Sequence, residues 1–341
     1  MTADNPLTTG SSTPLTSHPG LNRSFRPDGM SIGAHLPLEG GANAPATMRD
    51  HAAVALAAER AGFATLWARD VPLYDRSTGD TAQIFDPFTY LGFLSALTSD
   101  IALGTAAIVL PLRHPLHAAK SAASIDQLSG GRFLFGVASG ARTSEFSAFG
   151  MDEQERGESF REAFEVISTV LADSGAEISS SFGTLRGADV LPKPSHEHIP
   201  TFIAGSSRQD LEWMARAADG WLYFTLPEPE QAANIRHWRS LTGPKANGFS
   251  GNPDADPTLG VFKPFVQLTN IDLAEDPSSP AMPIHLGFRL GRNVLTDKLH
   301  RFQEMGVDQA LLGFRHSTRP VPEVLDELGE YVLPVFPAGR S

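Results

Sequence analysis

Small residues end two apolar stretches of the chain and interrupt a third, and their types suit the binding of a flat, phosphorylated ligand. The three sets are Thr105, Ala106 and Ala107; Ala138, Ser139 and Gly140; and Gly205, Ser206 and Ser207, followed by Arg208. Small residues let a planar ring approach the backbone closely and leave amide N–H groups available. Hydroxyls, amides at a helix start and an arginine are donors that suit a phosphate. Ordinary tight turns and a serine helix cap are the alternative interpretation.

Titratable and polar side chains near the same strand ends are candidates for chemistry and substrate contact. Imidazoles and positioned carboxylates hold and release protons, so the candidate catalytic residues are His35, Asp70 and His114. The candidate substrate contacts are Arg69, Arg113, Phe265, Gln267 and Arg289. Glu145, in a loop after the fourth strand, is assigned to the phosphate side of the cofactor. The plainer interpretations are a rim histidine, a brace between Arg69 and Asp70, solvated loop charges, and arginines that bridge to surface acids.

Composition excludes several classes of chemistry and partner. The 341-residue chain has no cysteine, which excludes disulfides, thiolate nucleophiles and cysteine-ligated metals. His114 and His117 have a spacing that could suggest a metal, but no third ligand has a suitable spacing, so no metal site is predicted. Lys and Arg number 27 against 39 Asp and Glu, a net charge of −12, so we expect no nucleic-acid partner.

The chain contains no apolar run of about 18 residues, so we expect no membrane span. Residues 1–30 contain Pro, Ser, Thr and Gly without a continuous apolar stretch, which predicts a disordered tail rather than a signal peptide. Residues 31–341 are predicted to form a single domain, and the protein is predicted to be cytoplasmic.

Short β-like runs alternate with helical stretches from Met30 onward, which predicts a parallel sheet. The predicted strands are 31–37, 63–70, 101–111, 132–140, 200–207, 219–226, 261–274 and 307–314. The helical stretches between them are 45–62, 86–100, 115–130, 158–175, 207–218, 229–241 and 293–306, and residues 182–194 are typical of a small hairpin. Eight strands favour an α/β fold of the (β/α)8 TIM-barrel type, with insertions at its C-terminal face. A doubly wound open sheet is the alternative, but no Gly-x-Gly-x-x-Gly follows an early strand.

In such a barrel the ends of strands carry chemistry and the starts of strands carry stability. Gly130, Gly131 and Arg132 precede the fourth strand, so they are predicted to be structural: the glycines form a tight turn, and Arg132 caps carbonyl groups or pairs with Asp126. Ala138 to Gly140 leave the same strand at the opposite, functional end.

Several ordered blocks of sequence resemble the bacterial-luciferase-like, flavin-dependent oxidoreductases. The blocks are "LGTAAIVLPLRHPLHAAKSAASIDQLSGGRFLFGVASG", "EFSAFG", "FREAFEVI", "LPKP" and "IAGSS" followed by "AADGW". The similarity extends from about residue 31 to about residue 335. One departure is the Ala-Ser-Gly at the end of the fourth strand, where some members of the family have Asn or Trp nearby.

The resemblance implies a barrel that binds reduced FMN, or in a related branch the deazaflavin coenzyme F420, at the C-terminal ends of its strands. The ring would lie near Thr105 to Ala107, where family members often have a β-bulge and sometimes a cis peptide. The phosphate would lie toward Gly205 to Ser207. The function implied is a monooxygenase acting on a small organic substrate, with a separate flavin reductase as a partner and a homodimer as the assembly. A deazaflavin-dependent reductase, a non-catalytic flavin-binding barrel and a metal-dependent hydrolase are the alternatives.

Overall fold

The computed structural model describes residues 18–26, 29–41, 45–75, 84–243 and 262–340. The barrel strands in this part of the chain are β1 (Ser31–His35), β2 (Thr65–Ala68), β3 (Ala102–Thr105), β5 (Phe133–Ala138), β8 (Thr201–Ala204), β9 (Gly220–Phe224), β10 (Phe265–Leu273) and β13 (Gln309–Gly313). The shorter strands are β4 (Ile108–Val109), β6 (Ile178–Ser180), β7 (Gly183–Leu185), β11 (Met282–Ile284) and β12 (Gly287–Leu290).

The eight barrel strands pair in parallel in the order in which they occur in the chain, and β13 pairs back onto β1. Because the ring of pairings closes, the predicted TIM barrel is confirmed and the open doubly wound sheet is wrong. The carboxyl ends of all eight strands therefore meet at one face of the molecule.

Helices follow most of the barrel strands and pack around the sheet. They are α2 (His51–Ala61), α3 (Pro87–Leu97), α4 (Pro115–Ser129), α6 (Arg156–Ala172), α7 (Leu211–Ala217), α8 (Glu228–Thr242), α9 (Arg292–Met305) and α10 (Val321–Tyr331). Two short helices, α1 (Pro19–Ser24) and α5 (Thr143–Ala148), lie outside this alternation. No helix in the described ranges is long and apolar enough to cross a membrane.

Two strand pairs are inserted into the barrel pattern. β6 and β7 form an antiparallel hairpin, and it begins before the range 182–194 that the sequence predicts. β11 and β12 form a second hairpin, between the predicted strand 261–274 and the predicted helix 293–306, and β12 pairs with the last four residues of β10. β10 is nine residues long because its first part completes the barrel while its end supports this second hairpin.

The amino-terminal end of the barrel is closed by α1. Leu21 and Phe25 are buried with Trp67 and Phe202, which fill the barrel interior, and the rings of Phe25 and Phe202 stack at 5.5 Å. The Ser24 hydroxyl lies 2.8 Å from that of Thr65, within a buried network of hydrogen bonds. The predicted disordered tail is therefore wrong for residues 18–26, because apolar side chains in this stretch complete the core; residues 1–17 and 27–28 lie outside the described residues.

Replacing Phe25 with alanine tests whether α1 belongs to the cooperative fold. Removing a ring that is 9% exposed leaves a cavity at the end of the barrel, and we expect the free energy of unfolding to fall by about 3 kcal/mol. Urea denaturation followed by circular dichroism measures this change. Leu128→Ala, at a side chain that is 68% exposed, is the control and should have little effect. An unchanged midpoint for Phe25→Ala would mean that α1 docks without stabilising the barrel.

The turn before β5 is structural, as predicted. Gly130 and Gly131 have φ values of 66° and 79°, a left-handed backbone that glycine adopts without strain. Arg132 is buried and caps carbonyl groups rather than pairing with Asp126. It donates to the carbonyl oxygens of Ser95, Thr98, Ile101 and Ser129. Arg132 thus joins the ends of α3 and α4 to the start of β3.

The long apolar stretch 101–111 is divided rather than forming one strand. β3 ends at Thr105, the Ala106–Ala107 peptide is cis, β4 follows, and Leu110–Leu112 form a single 3-10 turn. A cis peptide at this position agrees with the expectation drawn from the family resemblance.

Candidate active site

Alternation along the strands identifies the side chains that face the barrel interior. Trp67, Leu134, Leu222 and Leu311 belong to the interior cluster, whereas their neighbours along each strand pack against the surrounding helices. Residues two or four positions further along therefore face the open, carboxyl end, which we call the mouth.

Three neighbouring strand ends present only alanine to the mouth. Ala106 after β3, Ala138 at the end of β5 and Ala204 at the end of β8 face the interior and are partly exposed. The strands β3, β5 and β8 lie side by side, so these residues form one continuous surface, the alanine wall. The small-residue sets 105–107 and 138–140 thus lie next to each other at the same end of the barrel. The end of β8, which leads into the third set, lies beside them.

The strands beneath the alanine wall approach each other closely. The Thr105 hydroxyl donates to the Gly136 carbonyl oxygen at 2.7 Å and accepts from the Gly136 N–H at 2.9 Å. A side chain at Gly136 would place its first carbon 1.8 Å from the Thr105 carbonyl oxygen. The Thr105 side chain is therefore buried between strands, and only the backbone that follows it is available to a ligand.

The second and third sets of small residues are joined directly. The Ser139 N–H donates to the Ser207 hydroxyl at 3.2 Å, and that hydroxyl donates to the Ala204 carbonyl oxygen at 2.8 Å. Gly140 and Gly205 are partly exposed beside this link, and Ser206 and Arg208 are exposed. The Ser207 hydroxyl therefore fixes the rim, and Ser206 and Arg208 are the exposed donors there.

The serines do not cap a helix, so the alternative interpretation of this set as a serine helix cap is wrong. α7 begins at Leu211, and its cap is Asp210, whose carboxylate accepts from the Trp213 N–H at 2.6 Å. Ser207 and Arg208 have positive φ values of 45° and 60°, so a turn separates the strand from the helix. Because α7 starts beyond this turn, a phosphate at the rim would depend on Ser206 and Arg208 rather than on a helix terminus.

The opposite side of the mouth is polar. Gly313 pairs with His35 on one neighbouring strand and with Asn270 on the other, so these residues share one layer of the barrel. His35 also pairs with Trp67, whose side chain faces the interior. Asn270 donates through its side-chain amide to the His285 carbonyl oxygen at 2.9 Å, which fixes the tip of the β11–β12 hairpin. The predicted position of His35 at the mouth agrees with the structure. Asn270 and His285 were not among the candidate residues identified from the sequence.

Phe265 and Gln267 do not face the mouth, so their prediction as substrate contacts is wrong. Phe265 is fully buried in the outer core against Trp221, with ring centroids 5.3 Å apart. Gln267 is 1% exposed and donates to the Thr225 hydroxyl at 3.0 Å. A shift of one residue moves a strand side chain to the other face, and the interior-facing residues of β10 are Val266, Leu268 and Asn270, of which Asn270 lies nearest the mouth.

Asp70 braces the backbone rather than lying ready for proton transfer. Its carboxylate accepts from the Val109 N–H at 3.0 Å and makes a two-point ion pair with Arg113, at 3.1 and 2.8 Å. Burial alone would lower the pKa of Arg113, but Asp70 and Asp86 outweigh it and raise the pKa. The structure thus gives Asp70 a bracing contact, made with Arg113 rather than with Arg69. The catalytic role of Asp70 and the substrate role of Arg113 stay predictions.

His114 also has a structural position. It is the cap of α4: its Nδ1 accepts from the Leu116 N–H, and its Nε2 lies 3.2 Å from the Phe182 carbonyl oxygen, at the tip of the β6–β7 hairpin. Both ring nitrogens contact backbone groups, which favours a structural role, and the catalytic assignment of His114 stays a prediction. Within the described ranges no group of three His, Cys, Asp or Glu side chains could hold a metal ion.

Two further candidate site residues, Glu145 and Arg289, form ion pairs near the carboxyl end of the barrel. Glu145 is 1% exposed and pairs with Arg142 at 3.0 Å. Arg289 pairs with Asp272 at 2.8 Å, while Arg292 and Arg319 both bind Glu327. The interpretation that the arginines of 285–293 pair with acidic groups is thus confirmed by the Arg289–Asp272 and Arg292–Glu327 ion pairs.

The comparisons with known proteins agree with this architecture. A family profile described as luciferase-like monooxygenase matches residues 29–276. An uncharacterized protein of Mycobacterium tuberculosis is 34% identical over 187 residues, which are 50% of this chain and 66% of that protein. The alkanal monooxygenase alpha chain of Photorhabdus luminescens is 27% identical over 159 residues, 46% of this chain and 42% of the relative. The matches thus span less than two thirds of the length of these relatives.

Solved structures of low sequence identity share the fold. A monooxygenase from Streptomyces bottropensis superposes with a TM-score of 0.70 at 18% identity, covering 90% of this chain and 100% of that chain. An F420-dependent secondary alcohol dehydrogenase gives 0.69 at 18% identity, with 90% and 99% covered. The FMN-bound oxygenating component of 3,6-diketocamphane monooxygenase from Pseudomonas putida gives 0.67 at 12% identity, with 90% and 98% covered.

The fold is a closed parallel barrel whose mouth has a wall of small residues on one side and imidazole and amide groups on the other. The luciferase-like monooxygenase profile covers residues 29–276, which is most of the chain. The chain belongs to the luciferase-like monooxygenase family.

Proposed function

We propose that this chain is a flavin-dependent oxidoreductase, and more specifically a monooxygenase that uses reduced FMN and molecular oxygen on a small organic substrate. The observation that carries the proposal is the alanine wall formed by Ala106, Ala138 and Ala204 at one side of the mouth. Larger side chains would normally fill this layer of a barrel. Family membership and the FMN-bound structural neighbour support the same cofactor class.

The residues at the mouth fit such a group. Ala106, Ala107 and Ala138 would hold the flat ring, and Gly140, Gly205, Ser206 and Arg208 would hold the phosphate end, with Ser139 and Ser207 fixing the rim between them. Arg208 supplies a cation at the rim of a chain with a net charge of −12. When bound, reduced FMN supplies two electrons, so that one atom of oxygen enters the substrate and the other leaves as water.

The protein's own part in the reaction is to position the reactants and restrict water. Trp67 and the α1 residues close the barrel below the mouth, so ligands reach the site from the carboxyl face alone. His35 and Asn270 provide polar groups opposite the alanine wall and would orient the substrate between them. A flavin reductase as electron supplier and a homodimer as the assembly are part of the proposal.

A deazaflavin-dependent reductase is the second candidate. It is favoured by the F420-dependent dehydrogenase, whose fold matches this chain about as well as that of the monooxygenase from Streptomyces bottropensis. The same mouth would then hold coenzyme F420, and hydride would pass without oxygen.

Equilibrium titration with reduced FMN and with F420, followed by fluorescence under anaerobic conditions, tests the proposal. We expect reduced FMN to bind with a Kd of about 1 μM or tighter, equivalent to about −8 kcal/mol, and F420 to bind more weakly. Admission of oxygen to the FMN complex should then change the flavin absorbance and, with the right substrate, give an oxygenated product. Preference for F420 would favour the reductase; FMN binding without turnover across a broad substrate panel would favour a non-catalytic barrel. Binding of neither would contradict a flavin function.

A further inference from the structure

One half-buried imidazole beyond the carboxyl end of β13 has a buried ring nitrogen without a hydrogen-bond partner among the described residues. His316 follows β13, and its Nε2 is buried and makes no hydrogen bond to the described residues. A buried polar nitrogen without a partner is costly unless it serves a ligand or a reaction. By contrast, His114 and His198 are both bonded through Nε2 to protein groups.

The position of His316 follows from a chain of contacts that starts in the barrel interior. The Asn270 side chain faces the mouth and holds the His285 carbonyl oxygen at 2.9 Å. The ring of His285, at the tip of the β11–β12 hairpin, lies 6.4 Å from the ring of His316. His316 and His285 therefore lie over the polar side of the mouth, across from the alanine wall. We call them the imidazole pair.

The surroundings of His316 hold its pKa below the ordinary value. Burial lowers the pKa of His316, and electrostatic repulsion from Arg315 and His285 lowers it further, while Asp272 acts in the opposite direction. Asp272 is itself committed, because it accepts from Arg289 and from the Thr318 hydroxyl and N–H. His316 thus has a nearby carboxylate that can stabilise a passing positive charge without holding a permanent one.

We infer that His316, with His285 as its neighbour, carries protons between solvent and the reacting groups in the mouth. This inference rests on the proposed function and adds a residue to it. A neutral imidazole that takes a proton from solvent becomes an imidazolium, which can donate that proton at the site, and it returns to its neutral form after each transfer. Without substrate, bound monoanionic reduced FMN, oxygen and one proton would give oxidised FMN and hydrogen peroxide, so the reaction consumes one proton. His316 gives that proton from a ring nitrogen, breaking one N–H bond, and is protonated again from water.

The first experiment follows the imidazoles in the protein without flavin. Histidine labelled with ¹⁵N is titrated by NMR in the wild type and in His285→Gln, with signals assigned from His316→Gln. His237→Gln, at a side chain that is 56% exposed on α8, is the control. We expect the pKa of His316 to lie below 6.5, to rise in His285→Gln and to stay unchanged in the control. An unchanged pKa of His316 in His285→Gln would contradict the pair.

The second experiment measures proton transfer with flavin bound. Reduced FMN is mixed with oxygen in a stopped-flow instrument between pH 5 and 8. We expect the wild-type rate to show an inflection at the pKa of His316, and His316→Gln to lose that inflection and react about 100-fold more slowly, with an unchanged Kd for FMN and an unchanged Tm. Added imidazole should restore the rate of His316→Ala. A structural role would not give this rescue.

The two proposals fail in different ways. Binding of neither FMN nor F420 would overturn the proposed function and this inference together. Normal FMN binding with an identical pH profile in wild type and His316→Gln would overturn the inference alone. The same holds if His316→Gln lowers the Tm and imidazole gives no rescue, because His316 would then be a structural rim residue.

Discussion

Replacing Ala138 with leucine should raise the Kd for reduced FMN by about 100-fold, equivalent to a loss of about 2.7 kcal/mol. Ala138 is the central member of the alanine wall, between Ala106 and Ala204, and its side chain is partly exposed to the mouth. Three added carbon atoms would occupy the space that a flat ring needs, and neighbours in close contact cannot move away. Because the added atoms lie at an open face, the fold should keep its stability.

The matched control is Ala233→Leu, which makes the same chemical change at an exposed position on α8. Anaerobic fluorescence titration gives the Kd of each variant, and urea denaturation shows whether each remains folded. Wild-type affinity in a folded Ala138→Leu protein would contradict the alanine wall as the ring site. The same pair of variants titrated with F420 shows whether a deazaflavin would use this surface.

Replacing Arg132 with methionine should lower the free energy of unfolding by about 4 kcal/mol. Arg132 is 7% exposed and donates to four carbonyl oxygens and to the Thr98 hydroxyl. Methionine keeps most of the apolar stem, but it leaves those buried acceptors without donors. Lysine offers donors of a different geometry and should lose part of this stability.

Urea denaturation of Arg132→Met, Arg132→Lys and wild type measures the effect. Arg236→Met, on an exposed part of α8, is the control and should change stability by less than about 0.5 kcal/mol. Since Arg132 lies at the amino end of the barrel, any folded Arg132→Met protein should bind reduced FMN with wild-type affinity. A stability close to that of the control would mean that the carbonyl groups are satisfied by water.

The architecture could be predicted from the sequence because its signals are local. Apolar runs separated by helical periodicity define eight strands, and glycines such as Gly62 and Gly130 mark helix ends through their left-handed backbone. Small residues at strand ends also identify one side of the mouth, since a missing side chain is visible in the sequence itself.

The polar side of the mouth could not be predicted in the same way. Which face of β10 points inward depends on where its pairing begins, and an error of one residue placed Phe265 and Gln267 on the interior face instead of Val266 and Leu268. The partner of Asp70 is Arg113, 43 positions later in the chain, and no local pattern indicates that pair. His285 and His316 come together only because the hairpin after β10 lies beside the end of β13.

Strand β10 has a consequence for how ligands are received. Its first part lies in the barrel, and its last residues pair with the hairpin that contains His285. This part of the rim is therefore a direct extension of a barrel strand rather than a mobile loop. A rim of this kind already has its binding conformation before a ligand binds, so little conformational entropy is lost on binding. Calorimetry should therefore show a heat-capacity change that matches the ligand's own buried area, without the larger signature of a segment that folds on contact.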